Sequence, residues 1–95
     1  MSGFSPDTSC IVAAVCGWHE RHGRAEEEIE RRLRRAETML VAAPALVETY
    51  AVLTRLTPPH RLSAADALTL LEANFMRPGK IVALDARSYR ALLRQ

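Results

Sequence analysis

Two short apolar runs constrain this chain more than any other feature. Thr38 to Ala43, "TMLVAA", is ended by Pro44, and Lys80 to Leu84, "KIVAL", is followed by Asp85. Both are too short for helices: the first reads as a buried strand and the second as another short strand. Between them lie two helical segments. "PALVETYAVLTRL" starts at Pro44, a residue suited to the first helical position, and stops before Pro58–Pro59. "SAADALTLLEANF" is opened by Ser63, with Asp66 three residues on as an acidic variant of the capping box, and Pro78–Gly79 breaks the chain after it. Asp85 is expected to cap a last helix, "ARSYRALLR". Strands alternating with helices predict an α/β fold, a parallel sheet flanked by helices.

The N-terminal part fits the same scheme. Cys10 to Val15 reads as the buried first turns of a helix, and Arg24 to Ala36, "RAEEEIERRLRRA", as a solvated amphipathic one with Ile29 and Leu33 as its apolar spine. Its glutamates lead arginines by four at Glu27–Arg31, Glu28–Arg32 and Glu30–Arg34, the favourable order. A first strand has only "MSGFSP" to form from, and Pro6 cannot donate to a ladder, so that strand is expected to be short or distorted.

At 95 residues the chain is one domain at most, with thin stability unless a partner helps. No apolar run approaches a membrane span, and the start has no basic region ahead of an apolar core, so a cytoplasmic location is expected. The charge is uneven. From His19 to Glu37 six glutamates cancel six arginines, while from Glu48 onward four acids face seven bases. That permits an anionic partner such as RNA without establishing one. Cys10 and Cys16, on one helix, would be about 9 Å apart along its axis, too far for a disulfide. Cys16, His19 and His22 match no zinc-ligand spacing.

Two acids stand out. Asp7 opens "DTSCIVAAV", where it is a natural helix cap, and a metal ligand is the sharper alternative. Glu48 is the one acid in "VAAPALVETYAVL", so it is expected to be buried and therefore paired with Arg55 at i+7, hydrogen-bonded to tyrosine, or coordinating a cation. In a parallel α/β sheet both acids follow strands and would project at one edge, where hard oxygen ligands select Mg²⁺ or Mn²⁺.

The stretches "DTSCIVAAV", "AAPALVETYAVLTRL" and "SAADALTLLEANF…IVALDARSYRALLR" resemble the PIN-domain ribonucleases, with the nearest likeness to VapC-type toxins of bacterial toxin–antitoxin pairs. The resemblance implies a PIN-like sheet and a metal-dependent endoribonuclease that cleaves tRNA or rRNA phosphodiesters. Asp7 and Glu48 would be its first two metal-binding and catalytic acids, and Ser9 a polar neighbour of the metal-bound water. It also implies a cognate antitoxin, with Ile11, Val15, Trp18 and Tyr50 as candidate contacts, no membrane association, and a homodimer as the family's frequent state.

The family's third and fourth acids belong to a C-terminal segment that would follow "ALLRQ". Residues 1–95 are therefore expected to be the N-terminal part of a single PIN-like domain with an incomplete sheet, and an inactive fragment is one expected outcome. Asp66 and Asp85 are explained by N-capping. The competing reading is a non-catalytic helical protein-interaction module, which requires a Glu48–Arg55 pair and no response to Mn²⁺.

Overall fold

A computed structural model describes residues 3–83 and residue 90. Three parallel strands form a sheet in the order β1-β2-β3: β1 (Gly3–Phe4), β2 (Thr38–Ala42) and β3 (Lys80–Val82). Gly3 pairs with Thr38 and Phe4 with Met39, while Leu40, Val41 and Ala42 pair with Lys80, Ile81 and Val82. Helices α1 (Thr8–Val15) and α2 (His22–Arg34) connect β1 to β2. Helices α3 (Ala43–Arg55) and α4 (Ala64–Leu71), extended by a π-helical turn at Glu72–Met76, connect β2 to β3. The α/β prediction is met, and among the described residues β1 is Gly3–Phe4, ending before Pro6. Asp85, Leu84 and the expected last helix lie outside the described residues, Arg90 apart.

The core is built on β2. Its alternation turns Met39 and Val41 into a cluster with Ile11, Cys16, Leu53, Ala67, Leu71 and Phe75. Helix α3 presents Thr49 and Leu53 to this cluster, and the buried Thr49 hydroxyl is satisfied by the Ala45 carbonyl at 2.7 Å. Ser63 caps α4 by accepting from the Asp66 amide at 3.1 Å, as the capping motif predicts.

Helix α2 has no fully buried residue; half-buried Ile29 packs against the core, and polar contacts tie the helix at both ends. Arg32 lies over the Phe4 ring of β1 at 5.6 Å and bonds Glu28 at 2.8 Å and Glu37 at 3.2 Å. At the other end His22 Nδ1 donates to the Ala13 carbonyl of α1 at 2.9 Å. Of the three expected ion pairs, Glu28–Arg32 and Glu30–Arg34 form, whereas Arg31 turns to Glu28 at i−3, at 2.6 Å, instead of Glu27. One carboxylate thus serves two guanidiniums, and their hydrogen bonds hold Glu28 below the usual carboxylate range.

Two backbone positions have strict demands. Helix α2 ends with Glu37 N–H bonded to the Arg32 carbonyl and Ala36 N–H to the Leu33 carbonyl, a pattern that puts Ala36 at a φ of 61°. A left-handed alanine costs about 1–2 kcal/mol, whereas the glycine usual at this position loses about 0.4–1 kcal/mol to unfolded-state entropy. Gly79, ahead of β3, is crowded: an added Cβ would lie 2.6 Å from the Phe75 carbonyl oxygen and 2.8 Å from Val41 Cγ2.

Opposite outcomes are expected at these sites in urea denaturation. Ala36→Gly should stabilise the fold by about 0.5–1 kcal/mol, the difference between those two effects. Gly79→Ala should destabilise it by about 1–3 kcal/mol, because backbone and core must move to admit the methyl group.

Candidate metal-binding cleft

Because the strands are parallel, the segments leaving β1 and β2 emerge at the same edge of the sheet. Asp7 is the N-cap of α1, three residues beyond β1, and its Oδ1 accepts from the Cys10 amide at 2.8 Å. The capping role is therefore real and uses one oxygen, leaving Oδ2 without a hydrogen-bond partner among the described residues. Glu48 lies in the second turn of α3 and its Oε2 accepts from the Thr8 hydroxyl at 2.7 Å. Its Oε1 is likewise without a partner among the described residues.

Asp7, Thr8 and Glu48 line one cleft of about 700 Å³, walled by Phe4 and Pro6 on one side and by Glu28 and Arg32 of α2 on another. Its charge is legible in Cys10, a half-buried thiol on the same wall. Burial pushes that thiol up, and the negative charges of Asp7 and Glu28 push it further. The part of that shift due to Asp7 is the part that would also attract a cation, whereas burial opposes either charge. Glu28 is already neutralised by Arg31 and Arg32, so Asp7 and Glu48 are the acids left to offer oxygen. Among the described residues no group of three or more His, Cys, Asp or Glu side chains could hold a metal ion. Two carboxylates would supply only part of the oxygen shell of a hard cation, the rest falling to water.

The sequence reading needs correction at Glu48. The side chain is exposed, not buried, and no ion pair joins it to Arg55 among the described residues. Helix α3 is apolar all round, but its outward side is open: Val47 is 68% exposed and Val52 39%. An apolar sequence thus did not mean burial here. Ile11 is corrected too. It is 0% exposed, a core residue with no surface for a partner. Val15 and Tyr50 are half-buried, while Trp18 is 50% exposed and stacked on His60 with ring centroids 4.1 Å apart. Ser9 is exposed and lines, with Asp7 and Thr8, a second depression that Glu48 itself does not line. His19 Nδ1 accepts from the Arg21 amide at 3.0 Å, and Cys16 is buried, so the Cys16–His19–His22 trio is engaged in packing and backbone bonds. Both cysteines are free.

Thr8 is the residue that sequence reasoning missed. It occupies the middle of "DTS", where the acid and serine drew attention, and its partner is 40 positions away. No local signal could reveal that bond. It fixes one Glu48 oxygen relative to the α1 N-terminus and so sets the two carboxylates on a common wall. In a double-mutant cycle with Thr8→Val and Glu48→Ala, urea denaturation should give a coupling of about 0.5–1.5 kcal/mol, and Thr8→Ser should retain most of it. Additive single effects would mean that the bond contributes nothing.

The chain matches the PIN domain family over residues 5–94. It is 41% identical over 89 residues to Ribonuclease VapC40 of Mycobacterium tuberculosis, in strain CDC 1551 / Oshkosh and equally in strain ATCC 25618 / H37Rv. The alignment takes in 94% of this chain and 60% of each relative, so the chain spans about three fifths of the length of the curated proteins it matches. No solved structure matches it. With the family match running across nearly all of its residues, over a parallel α/β sheet, the chain belongs to the PIN-domain family.

Proposed function

We propose that this chain carries two acids of a metal-dependent endoribonuclease centre and acts as a VapC-type toxin on RNA in the cytoplasm, restrained by a cognate antitoxin. One observation carries the reading: Asp7 and Glu48 each commit one carboxylate oxygen to a structural hydrogen bond and keep the other free on the same cleft. The likeness to a protein named a ribonuclease supports the same chemistry.

Asp7 and Glu48 are the residues that would hold Mg²⁺ or Mn²⁺, and Ser9 would be a polar neighbour of the metal-bound water. Such an ion, when bound, lowers the pKa of a coordinated water and offsets charge on the phosphodiester. The protein's own part is orientation. Asp7 is pinned by its cap bond and Glu48 by Thr8, so neither carboxylate has to be ordered when the cation arrives. The antitoxin is assigned to the surface of Val15, Trp18 and Tyr50, and a homodimer belongs to the same reading. No helix among the described residues is long and apolar enough to cross a membrane. The interaction-module alternative needs a Glu48–Arg55 pair, and Glu48 bonds Thr8 instead.

The test is cleavage of a tRNA and rRNA panel with Mn²⁺ or with EDTA, beside Asp7→Asn and Glu48→Gln. Mn²⁺-dependent cleavage should fall by about 100-fold or more in each variant. Mn²⁺ should also raise the Tm of the parent chain and of neither variant, since a ligand stabilises only the state that binds it. A Tm indifferent to Mn²⁺, with cleavage absent or unaffected by EDTA, would overturn the assignment.

A further inference from the structure

Beside the cleft runs a second depression of about 850 Å³ that begins at Asp7, follows the seam between α1 and α2, and ends at His19, Glu20, Arg21 and Arg24. Its cations are unexplained by the fold. Three of the six arginines between His19 and Glu37 are committed to glutamates: Arg31 to Glu28, Arg32 to Glu28 and Glu37, and Arg34 to Glu30. Arg21 and Arg24 are exposed, and their guanidiniums have no hydrogen bond or ion pair among the described residues. Nor does helix stability account for them. They lie at the start of α2, where the helix dipole favours acids and disfavours cations.

From these observations we infer that the depression is a subsite for the backbone of a single-stranded RNA, in which Arg21 and Arg24 hold phosphates next to the one presented to Asp7 and Glu48. This rests on the ribonuclease reading and adds to it a binding track and its direction, along the α1–α2 seam. Arg21, the N-cap of α2, and Arg24, in its first turn, both line the depression, so the two can engage neighbouring phosphates of one strand. His19 adds a third donor. Its Nδ1 accepts from the Arg21 amide, which leaves the proton on Nε2. Against them stands Glu20, the one acid of the depression, Asp7 aside, that no arginine neutralises, since Glu28 is bonded to Arg31 and Arg32. A polyanion in this track is attracted by two cations and repelled by Glu20, and that sign pattern can be tested.

The experiment measures binding of a fluorescein-labelled single-stranded RNA to the full 95-residue chain by anisotropy over a salt series. It is run in the Asp7→Asn background with EDTA so that nothing is cleaved. Adding Arg21→Ala and Arg24→Ala should weaken binding about 10-fold or more at low salt. It should also reduce the slope of log K against log salt by about 1.4, at 0.7 per phosphate contact. Arg21→Lys with Arg24→Lys should restore the slope, and Glu20→Gln should tighten binding. Neither guanidinium has a bond among the described residues, and both lie where the helix dipole disfavours cations, so the variants should melt no lower than the parent, and a lost slope without a lowered Tm reports lost phosphate contacts.

Unchanged affinity and slope in the alanine pair overturn the track, as does an RNA that fails to bind the parent. The two readings fail separately. Asp7-dependent cleavage with an indifferent arginine pair removes the track and leaves the nuclease. Arginine-dependent binding without metal-dependent cleavage removes the nuclease chemistry and leaves the track.

Discussion

The parallel pairing of β1 with β2 is the constraint on which the rest of this structure depends. Parallel neighbours cannot be joined by a tight turn, so the chain must travel back through helices before each new strand. Every strand therefore ends at the same edge, and the segment that follows each one starts there. Asp7 follows β1 and Glu48 follows β2, which brings residues about forty positions apart to one wall. Among the described residues β1 pairs through Gly3 opposite Thr38 and Phe4 opposite Met39. Arg32 over Phe4 and the Thr8–Glu48 bond supply lateral ties on either side of Asp7.

Charge is divided along α2 in a way that serves both packing and surface. Its second half is self-neutralising: Glu28 and Glu30 face Arg31, Arg32 and Arg34, and Arg32 reaches on to Glu37 beyond the helix. Exposed pairs of this kind are individually weak. The Arg32 network is different in kind, because it couples three segments through one planar guanidinium, and its hydrogen bond to Glu28 holds that guanidinium more firmly protonated. The first half of the helix has no comparable pairing for Arg21 or Arg24. The same helix thus closes one side of the acidic cleft with spent charges and borders the neighbouring depression with unspent ones.

How much of this was legible depended on the range of the interaction. The core strand, the Pro44 start of α3 and the Ser63 cap are local features, and they could be read from short windows. So could the end of β1 ahead of Pro6, which has no N–H to give to a ladder. The burial of Glu48 was misread because an all-apolar helix was taken to have no open side. Val47 and Val52 show that one side of α3 is outward. Ile11 and Trp18 are both apolar and seven positions apart, yet one is wholly enclosed and the other half exposed, a difference fixed by where α1 ends. The partner of Thr8 and the left-handed turn at Ala36 depend on tertiary geometry, to which no sequence window refers.

The two roles offered for Asp7, helix cap and metal ligand, are not rivals once its oxygens are counted. Capping needs one acceptor, Oδ1, directed at the Cys10 amide, and it fixes the orientation of the other. Asparagine caps a helix as well as aspartate does, so Asp7→Asn removes charge and a ligand oxygen while keeping the cap. Alanine would remove both and confuse folding with chemistry. The same holds at Glu48, where glutamine retains a carbonyl oxygen able to accept from Thr8. An effect common to Asp7→Asn and Glu48→Gln, with the fold intact, therefore reports what they alter together, the negative charge and the second carboxylate oxygen that each acid offers to the cleft.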